Sequence, residues 1–512
     1  MAGNALSWPN RLLRCLATGS LTVLLAGPAH AQAPAALTRP LARAAVLADL
    51  RLFQRIQEQA NAGLYKYHSK AQLDSAFAAA QAQVTNAPTL LEAYQLVASL
   101  TDFAGSLHSD TLLPDSASSA MSRQTAFFPF PVKWVAGSLR LDYDGAALPV
   151  GTELLAVNGV AAADLLRTLG RYYTTDGFNQ TGKLAGVSEY FARYFYLRYG
   201  PALNFEVTYQ LPGEATPQQQ RFDAASYATV EQRYRHRHSA ALDSGTLPYQ
   251  FRVMGPAAVL TLPTFDIGDN ARSPAHRAYR RFLDSCFTVL RDAPAIKGVV
   301  VDVRGNGGGT DPNDLLTFSY LAQRPFRENR EAVVLFQTIP YGRYLLTDHQ
   351  GPRRWLEKRQ LQRELRREFR PAADGHYYQR AADNPVYQLS ALRTLKPVYL
   401  LIDGRVASAA SLFAALVRGN TSAVVIGEET MGGYYGHTGH TPVAYQLPNT
   451  GLITKFSLVD LQQDVPPRAS QLPGRGVLPD YPAAQSPDDF ITGRDSQLAL
   501  ALKLLAERAA GR

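Results

Sequence analysis

The sequence predicts a multidomain α/β protein. Its 512 residues exceed what a single compact core normally holds, so several domains are expected. From Tyr249 onward, short apolar runs of strand length alternate with segments of helical periodicity. Examples are predicted strands at residues 299–303 and 398–402 and a predicted helix at about Pro274 to Asp292. This alternation is typical of an α/β core in which functional groups gather at the strand ends.

The first residues have the pattern of a secretory signal peptide. Arg11 and Arg14 precede a mostly apolar segment, Cys15 to Ala26, and the small-x-small triplet at residues 29–31 is typical of a cleavage site. The apolar segment is too short to span a membrane, so we expect an exported protein, periplasmic or extracellular, without stable membrane insertion. Cleavage would leave Cys286 as the only cysteine, which excludes an internal disulfide.

Three segments lie between the signal peptide and the α/β core. The first has helical periodicity, whereas the serine-rich residues 113–124 predict a loop. The next is mixed, and its residues 148–169 resemble the later strand, turn and helix of a PDZ domain, a module that binds extended peptide termini. The polar residues 211–244 predict a connector with one or two strands. The assigned domains are a signal peptide at 1–31, a helical N-terminal module at 41–113, a PDZ-like domain at 126–212, the core at 249–490 and a C-terminal helix at 491–512.

The formal net charge of +9 is concentrated in one segment, Arg353 to Arg370. Its apolar residues fall near one face of a predicted helix, namely Trp355, Leu361, Leu365 and Phe369. Glutamates are mixed among the arginines, so an amphipathic helix with a solvated basic face is favoured over a polyanion site. We therefore expect no nucleic-acid partner.

The stretch Pro397 to Gly419 predicts a buried strand, a tight turn and a helix. Ser408 lies where the turn meets the helix. A hydroxyl there lies close to backbone N–H groups that have no partner within the helix, and the helix dipole favours developing negative charge. This is the geometry of a nucleophile with an oxyanion site. The alternative is that Ser408 is only a helix cap, since serine is favoured at that position.

A second stretch, Lys297 to Asp311, combines another predicted buried strand with a glycine cluster. Gly307, Gly308 and Gly309 are consecutive, which allows backbone N–H groups to converge on a ligand without interference from Cβ atoms. The pattern is not that of a phosphate loop, because the Gly-Lys-Ser/Thr ending is missing. The cluster could hold an anion or an oxyanion.

Together the two stretches resemble the C-terminal-processing, or tail-specific, serine peptidase family. The D-L-R-x-N-x-G-G segment of that family is matched from Asp302 to Gly309, with valine in the second position. Its G-E-x-T-x-G segment is matched from Gly427 to Gly432, and a closing G-x-G-V-x-P-D segment from Gly474 to Asp480.

The resemblance implies a ClpP/crotonase-like α/β peptidase core that acts on a peptide or protein substrate, with no metal and no other cofactor. Matching the helix that follows the nucleophile assigns that role to Ser408 rather than to Ser411. The implied oxyanion donors are the backbone N–H groups of Gly308 or Gly309 and of Ala409.

The general base departs from the bacterial tail-specific pattern. Where that branch has a catalytic lysine after its third segment, this sequence has Gly433. A serine hydroxyl is a poor nucleophile without a base in hydrogen-bond reach. Residues 97–113 are similar to the L-x-D-x-H-T-x-L segment of the branch that includes the tricorn protease core and the retinoid-binding-protein-like members. That branch uses a histidine, and the match implies His108 as the base.

Two assignments stay open. The rival bases are His437, His440 and Lys455. An acid that would orient the His108 ring is also not fixed by the sequence; the candidates are Glu428, Asp102, Asp110 and Asp464.

Three functions are compatible with these residues. The first is an exported serine endopeptidase with Ser408 as nucleophile and His108 as base. The second is a catalytically inactive binding protein on the same scaffold, which recognises peptides or lipophilic ligands, and the third is an esterase with the same nucleophile. The retained serine and glycine cluster favour the peptidase, although fold alone never establishes activity. Nothing in the sequence indicates the oligomeric state.

Overall fold

The computed structural model describes residues 31–145, 147–242, 249–268, 270–309, 312–349 and 351–511. Within these ranges the chain forms a mixed α/β structure with several β-sheets. The predicted signal peptide, residues 1–31, lies outside the described residues except for Ala31. Among the described residues, no helix combines the length and the apolar character that crossing a membrane requires.

The strands, numbered in chain order, are β1 (Asp110–Leu112), β2 (Thr125–Phe127), β3 (Val132–Val135), β4 (Ser138–Leu141), β5 (Glu153–Val157), β6 (Val160–Ala161), β7 (Asn204–Gln210), β8 (Gln218–Asp223), β9 (Ala225–Ser226), β10 (Gln250–Met254), β11 (Ala257–Thr261), β12 (Gly298–Asp302), β13 (Asn329–Val334), β14 (Phe369–Pro371), β15 (Tyr377–Gln379), β16 (Val398–Ile402), β17 (Val424–Gly427), β18 (Thr438–Gln446), β19 (Ile453–Gln463) and β20 (Tyr481–Pro482).

The α-helices are α1 (Ala35–Thr38), α2 (Arg43–Ala60), α3 (Lys70–Ala82), α4 (Leu90–Phe103), α5 (Asp115–Ser122), α6 (Ala162–Leu169), α7 (Thr181–Glu189), α8 (Phe191–Tyr199), α9 (Tyr227–Leu242), α10 (Pro274–Asp292), α11 (Asn313–Ser319), α12 (Pro352–Glu368), α13 (Ala409–Asn420), α14 (Pro487–Thr492) and α15 (Ser496–Ala509).

The region from Tyr249 onward contains a six-stranded sheet with the order β10-β11-β12-β16-β17-β20, here called the core sheet. β10 runs antiparallel to β11, and all other neighbours are parallel. β11, β12 and β16 consist almost entirely of buried residues, as expected for a parallel sheet that is covered on both faces. Since parallel strands end at the same edge, the segments that follow β12, β16 and β17 meet there.

Helices cover both faces of the core sheet. Successive side chains of β12 point to opposite faces, so Val299 and Val301 belong to one apolar cluster and Val300 to another. α10, α11 and α13 pack in the first cluster, where Phe413 of α13 is fully buried. α15 packs in the second through residues that include Leu505.

A second, antiparallel sheet connects the N-terminal helices to the rest of the chain. Its strand order is β1-β19-β13-β15-β14, and β18 also pairs with β19. β1 begins just after His108 and pairs with β19 in a register that sets Asp110 opposite Lys455. This pairing fixes the segment that carries His108 against the C-terminal part of the chain.

A third sheet has the order β3-β4-β5-β7-β8, with β6 paired to β5. The loop predicted at residues 113–124 is wrong, and the connector predicted at residues 211–244 has its strands but also a helix, because short apolar stripes suffice to form helices there. Residues 113–124 contain α5, which buries Ala117 and Met121 at an i, i+4 spacing. Residues 211–244 contain α9 as well as two strands, and Val230 of α9 is buried.

The basic segment forms α12, as predicted, but one apolar residue does not lie on the buried side. Leu365 and Phe369 are buried, whereas Trp355 is 58% exposed and the neighbouring Leu356 is 56% exposed. At about 100° per residue, Trp355 is rotated by roughly 80° from Leu365 around the helix axis, which carries its ring off the packed side.

Candidate active site

Ser408 lies between β16 and α13, at the edge of the core sheet where the parallel strands end. Its backbone has φ +50° and ψ −129°. For a non-glycine residue such a conformation costs about 1–3 kcal/mol. Although Ser408 directly precedes α13, its side chain makes no capping hydrogen bond among the described residues, and its Oγ contacts His108 instead. The geometry therefore contradicts the helix-cap alternative.

His108 lies between α4 and β1 and meets Ser408 across 300 positions of sequence. The distance between His108 Nε2 and Ser408 Oγ is 3.0 Å, within hydrogen-bond range. The His108 ring also stacks on the ring of His437, with 5.5 Å between centroids. The structure thus brings together the two side chains that the sequence paired.

The surroundings of His108 favour its neutral form. Burial lowers the pKa of His108 to about 4, and a hydrogen-bond contribution from the Thr438 backbone opposes this shift. Nδ1 is buried and makes no hydrogen bond of good geometry to any described residue. Among the described residues, therefore, no carboxylate accepts a hydrogen bond from Nδ1 and orients the ring.

The four candidate orienting acids lie elsewhere. Glu428 lies beside Asp403 and Lys133, and burial together with the Asp403 charge raises its pKa. Asp102 pairs with Lys183, Asp110 accepts the backbone N–H of Thr111, and Asp464 accepts that of Arg327. The sequence suggested these residues only because they are acidic and near the motifs, a signal that carries no information about side-chain direction.

Two of the three rival bases contact other groups, and the third is exposed on a strand. His437 is fully enclosed, and burial lowers its pKa well below the usual value. Its Nδ1 lies 3.2 Å from Gln463 Nε2. His440 pairs with Glu328 at 2.8 Å, and Lys455 is an exposed residue of β19. Ser408 Oγ is thus paired with His108 rather than with any of the three.

A buried carboxylate that the sequence reasoning missed binds the segments on both sides of the Ser408–His108 pair. Asp176 is fully buried, and its two oxygens accept the backbone N–H groups of Leu107 at 3.0 Å and Gly433 at 2.9 Å. Burial raises the pKa of Asp176 to about 7, although both hydrogen bonds lower it. No motif surrounds Asp176, and only the tertiary structure brings it to the site.

The glycine cluster lies directly against Ser408. A Cβ atom on Gly308 would stand 2.8 Å from Ser408 Cβ and 3.1 Å from the Ala409 nitrogen. One on Gly309 would stand 2.0 Å from the Asp266 nitrogen. Both glycines have positive φ, +105° and +153°. Only glycine allows the backbone to approach this closely in these conformations.

Asn306 ties the glycine cluster to the segment that carries Ser408. Its Oδ1 accepts the Gly308 N–H at 2.9 Å, and its carbonyl accepts the Ala407 N–H at 3.1 Å. The Gly308 N–H therefore already has an acceptor. Ala409 is the first residue of α13, where backbone N–H groups have no acceptor within the helix. Ala409 thus presents a backbone donor next to Ser408.

The third motif segment is held by its own ion pair. Buried Glu429 accepts hydrogen bonds from the Arg475 side chain at 2.8 Å and from the Gly476 N–H at 2.8 Å. Gly433, where the tail-specific branch has its lysine, has little room for a side chain, since a Cβ atom would stand 2.5 Å from the Gly436 carbonyl oxygen. Backbone packing, as well as residue type, separates this site from a serine–lysine dyad.

Comparisons with known proteins identify a family domain and a shared fold. The model of peptidase family S41 matches residues 256–483, which include the glycine cluster and Ser408. The structure of mature CPAF complexed with lactacystin is 15% identical to this chain and covers 92% of it and 99% of that chain, with a TM-score of 0.61. A crystal structure of mature CPAF is 16% identical, covers 91% and 97%, and has a TM-score of 0.58. At these identities the two structures share the fold. No curated protein matches the chain.

The family match covers the strand, glycine cluster and serine on which the resemblance was based, and the fold agreement extends over most of the chain. The predicted family is therefore confirmed. The chain carries a peptidase family S41 domain and is a serine-type peptidase, a hydrolase.

Proposed function

We propose that the chain is an exported endopeptidase in which Ser408 attacks the scissile carbonyl and His108 is the general base. The observation that carries the proposal is the 3.0 Å distance between His108 Nε2 and Ser408 Oγ. A general base must lie within hydrogen-bond reach of the proton that it removes. In this proposal the serine–histidine pair replaces the serine–lysine dyad that Gly433 precludes.

The proton moves in four steps. His108 Nε2 takes the Oγ proton as Ser408 attacks, and then gives it to the leaving amine. In deacylation His108 takes a proton from water and returns it to Ser408. A pKa of about 4 keeps the resting ring neutral, so that it can accept the first proton. The same burial opposes the imidazolium that forms during attack, and the contribution of the Thr438 backbone offsets part of this cost.

Negative charge develops on the substrate carbonyl oxygen beside the N-terminus of α13. We assign the oxyanion donors to the backbone N–H of Ala409 and to that of Gly308 or Gly309. The bond from the Gly308 N–H to Asn306 favours Gly309 as the second donor. Removing one such donor typically raises the barrier by about 3 kcal/mol.

We assign the orientation of His108 to packing and backbone contacts rather than to Glu428. Burial and the Asp403 charge raise the pKa of Glu428, and His108 Nδ1 makes no hydrogen bond of good geometry to a described carboxylate. The bond from the Leu107 N–H to Asp176 fixes the residue that precedes His108. The ring stack on His437 restricts rotation of the imidazole.

The finer architecture belongs to the same proposal. We infer that the core sheet with its helices is ClpP/crotonase-like and that residues 126–212 are a PDZ-like domain. α7 packs against the edge strand β3 of that region, and Ser188 Oγ accepts the Trp134 N–H at 3.0 Å. A peptide could therefore add to this strand edge only after α7 moves, because an added strand needs the same backbone groups. Export rests on the signal-peptide pattern of residues 1–31.

A fluorophosphonate probe tests the nucleophile. We expect it to label the wild-type protein and not Ser408→Ala. Ser411→Ala is a matched control, since Ser411 Oγ is buried and donates to the Val406 carbonyl at 3.0 Å, and this variant should still be labelled. His108→Gln should slow labelling by about 100-fold to 10,000-fold, the usual contribution of a general base. Labelling that persists in Ser408→Ala would refute the assignment.

The same protein separates the alternative functions. A binding protein on a peptidase scaffold would show no Ser408-dependent labelling. An esterase would be labelled and would cleave an activated ester while leaving peptides intact. Hydrolysis of an internally quenched peptide that disappears in Ser408→Ala supports the endopeptidase and excludes both alternatives.

A further inference from the structure

One surface of α12 has a charge pattern that the peptidase function does not use. At about 100° per residue, nine positions of this helix fall within roughly 160° of its circumference, and the eight that follow Pro352 have exposed side chains. This outer face consists of Arg353, Trp355, Leu356, Arg359, Gln360, Arg363, Arg366 and Arg367. The helix also contains three glutamates, and none of them falls within these 160°. Basic and acidic residues, mixed in the sequence, are thus segregated on the folded helix.

The arginines of the outer face are not neutralised by neighbours. Glu357 pairs with His349 and Glu368 accepts from Gln379, both off the outer face. Glu364 accepts from Gln360 of the outer face and pairs with none of its arginines. In the part of the chain that the structure describes, no ion pair includes an arginine of the outer face. Arg366 donates to the Gln337 carbonyl and to Thr338 Oγ1, both uncharged groups. The positive charges of the outer face therefore remain available to an external anionic surface.

Two large apolar side chains lie on the same face. Trp355 is 58% exposed and Leu356 is 56% exposed. The Arg359 guanidinium lies over the Trp355 ring, 4.9 Å from its centroid. If the outer face were only a solvated basic surface, these apolar side chains would not be expected on it, because exposing them to water is unfavourable. The opposite side of α12 is packed against the protein through Leu365, so the outer face is already rigidly presented.

We propose that the outer face of α12 docks the protein on a bilayer surface that carries anionic lipid headgroups. Arginines would pair with headgroup phosphates, while Trp355 and Leu356 would enter the boundary between headgroups and acyl chains. Interfacial helices use the same two kinds of residue, with apolar side chains entering this boundary and basic ones attracted to anionic lipids. On α12 both kinds lie on the outer face, because the opposite side packs against the protein through Leu365. A nucleic acid would use the arginines but would leave Leu356 in water, so the lipid surface accounts for more of the face.

Vesicle co-sedimentation of the full chain tests the electrostatic part. We expect binding to phosphatidylcholine vesicles that contain phosphatidylglycerol, weakening as salt is added, and no binding to phosphatidylcholine alone. Arg363→Gln with Arg367→Gln should lower partitioning by about 25-fold, since each basic residue near an anionic surface contributes about fivefold. The matched control is Arg51→Gln with Arg55→Gln, two exposed arginines at the same spacing on α2, which should leave partitioning unchanged.

Tryptophan fluorescence tests the apolar part. The chain has three tryptophans, and we expect the emission of the wild-type protein to shift to shorter wavelength when anionic vesicles are added. Trp355→Phe should abolish this shift. An unchanged urea unfolding midpoint shows that each variant is folded. The vesicle result therefore does not depend on whether the protease mechanism is correct.

Three results would overturn the proposal. The first is equal binding to neutral and anionic vesicles. The second is an equal loss of binding in the control pair on α2, which would indicate a diffuse effect of net charge. The third is binding to heparin or duplex DNA with no binding to anionic vesicles, which would identify the outer face as a polyanion site.

Discussion

Replacing Asp176 by asparagine isolates the role of the buried carboxylate between the two site segments. In its ionised form Asp176 accepts one N–H from Leu107 and one from Gly433. The amide of asparagine has one oxygen, so its NH₂ group would face one of these two donors. A buried donor left without an acceptor costs about 1–3 kcal/mol. Because Leu107 precedes His108, we expect part of this cost to appear as misplacement of the His108 ring.

The pKa of Asp176 adds a pH dependence to both stability and activity. Burial raises this pKa from 3.8 to about 7. Between these values the folded protein keeps a proton that the unfolded chain has lost, so stability falls as pH rises. The contribution is fully present below about pH 4 and is lost through about pH 7, and the shift corresponds to about 4 kcal/mol. Two charged side chains near Asp176 also affect its pKa: Lys66 lowers it and Asp460 raises it.

Activity should follow the opposite course. The protonated carboxyl carries an O–H, so it can accept only one of the two N–H groups without conflict. We therefore expect kcat/KM to increase as Asp176 ionises near pH 7, while His108, with a pKa of about 4, is already neutral. In Asp176→Asn the limb near pH 7 should disappear and the limb near pH 4 should remain. The plateau should fall by about 10-fold to 100-fold, equivalent to 1.4–2.7 kcal/mol.

Two measurements check this reasoning: peptide hydrolysis against pH, and urea unfolding on either side of pH 7. Asp102→Asn is the matched control, because Asp102 is a largely enclosed carboxylate that pairs with Lys183 and binds neither site segment. It should lower stability without removing the activity limb near pH 7. The reasoning fails if Asp176→Asn keeps that limb, or if Asp102→Asn removes it as well.

Two further substitutions test the glycine cluster and Glu428, one of the four candidate orienting acids. Gly309→Ala should lower both the free energy of unfolding and the rate of fluorophosphonate labelling. Its φ is +153°, and the new Cβ atom would stand 2.0 Å from the Asp266 nitrogen. Gly305→Ala is the control for strain from positive φ alone, because nothing lies within 4 Å of a Cβ atom there. Glu428→Gln should leave kcat/KM within about twofold of the wild-type value. It should raise the free energy of unfolding at neutral pH, since burial and the Asp403 charge disfavour the ionised carboxylate. A large loss of activity would instead identify Glu428 as the orienting acid.

The sequence could predict those parts of the site that lie within a recognisable pattern of neighbouring residues. The sequence points to Ser408 because a buried strand, small residues and a helix follow one another, and to His108 because its surroundings match a motif. Periodicity also located α10 at its observed bounds. Each of these signals lies within about 20 consecutive residues, the range over which secondary structure leaves a pattern.

The features that sequence could not predict depend on contacts between distant segments. Asp176 binds Leu107 and Gly433, which are separated from it by 69 and 257 positions. The direction of Glu428 likewise depends on which segments pack around it. On α12 the predicted helical period agrees with the structure, but the helix packs against the protein through the side that carries Leu365. The pattern of a single helix does not specify which side that is.

The segment that carries His108 shows why these distant contacts matter for function. Thr174 Oγ1 donates to the Ser109 carbonyl at 2.6 Å, and the Gly177 N–H donates to the Gly105 carbonyl at 2.9 Å. Together with Asp176, they bind the His108 segment along its length. A short loop held this way does not rely on its own conformational preference to position the imidazole.

Three locally unfavourable features meet at this one place. Ser408 has a left-handed backbone conformation, His108 is a histidine whose charged form is disfavoured, and Asp176 is a carboxylate buried where its proton is retained. Each costs stability, and none is needed for the core sheet or its helices to pack. Unfavourable features of this kind persist where the surrounding structure compensates for them, and they concentrate at functional sites. Their convergence around a 3.0 Å contact between Nε2 and Oγ is therefore a physical argument for catalysis here that is independent of the family resemblance.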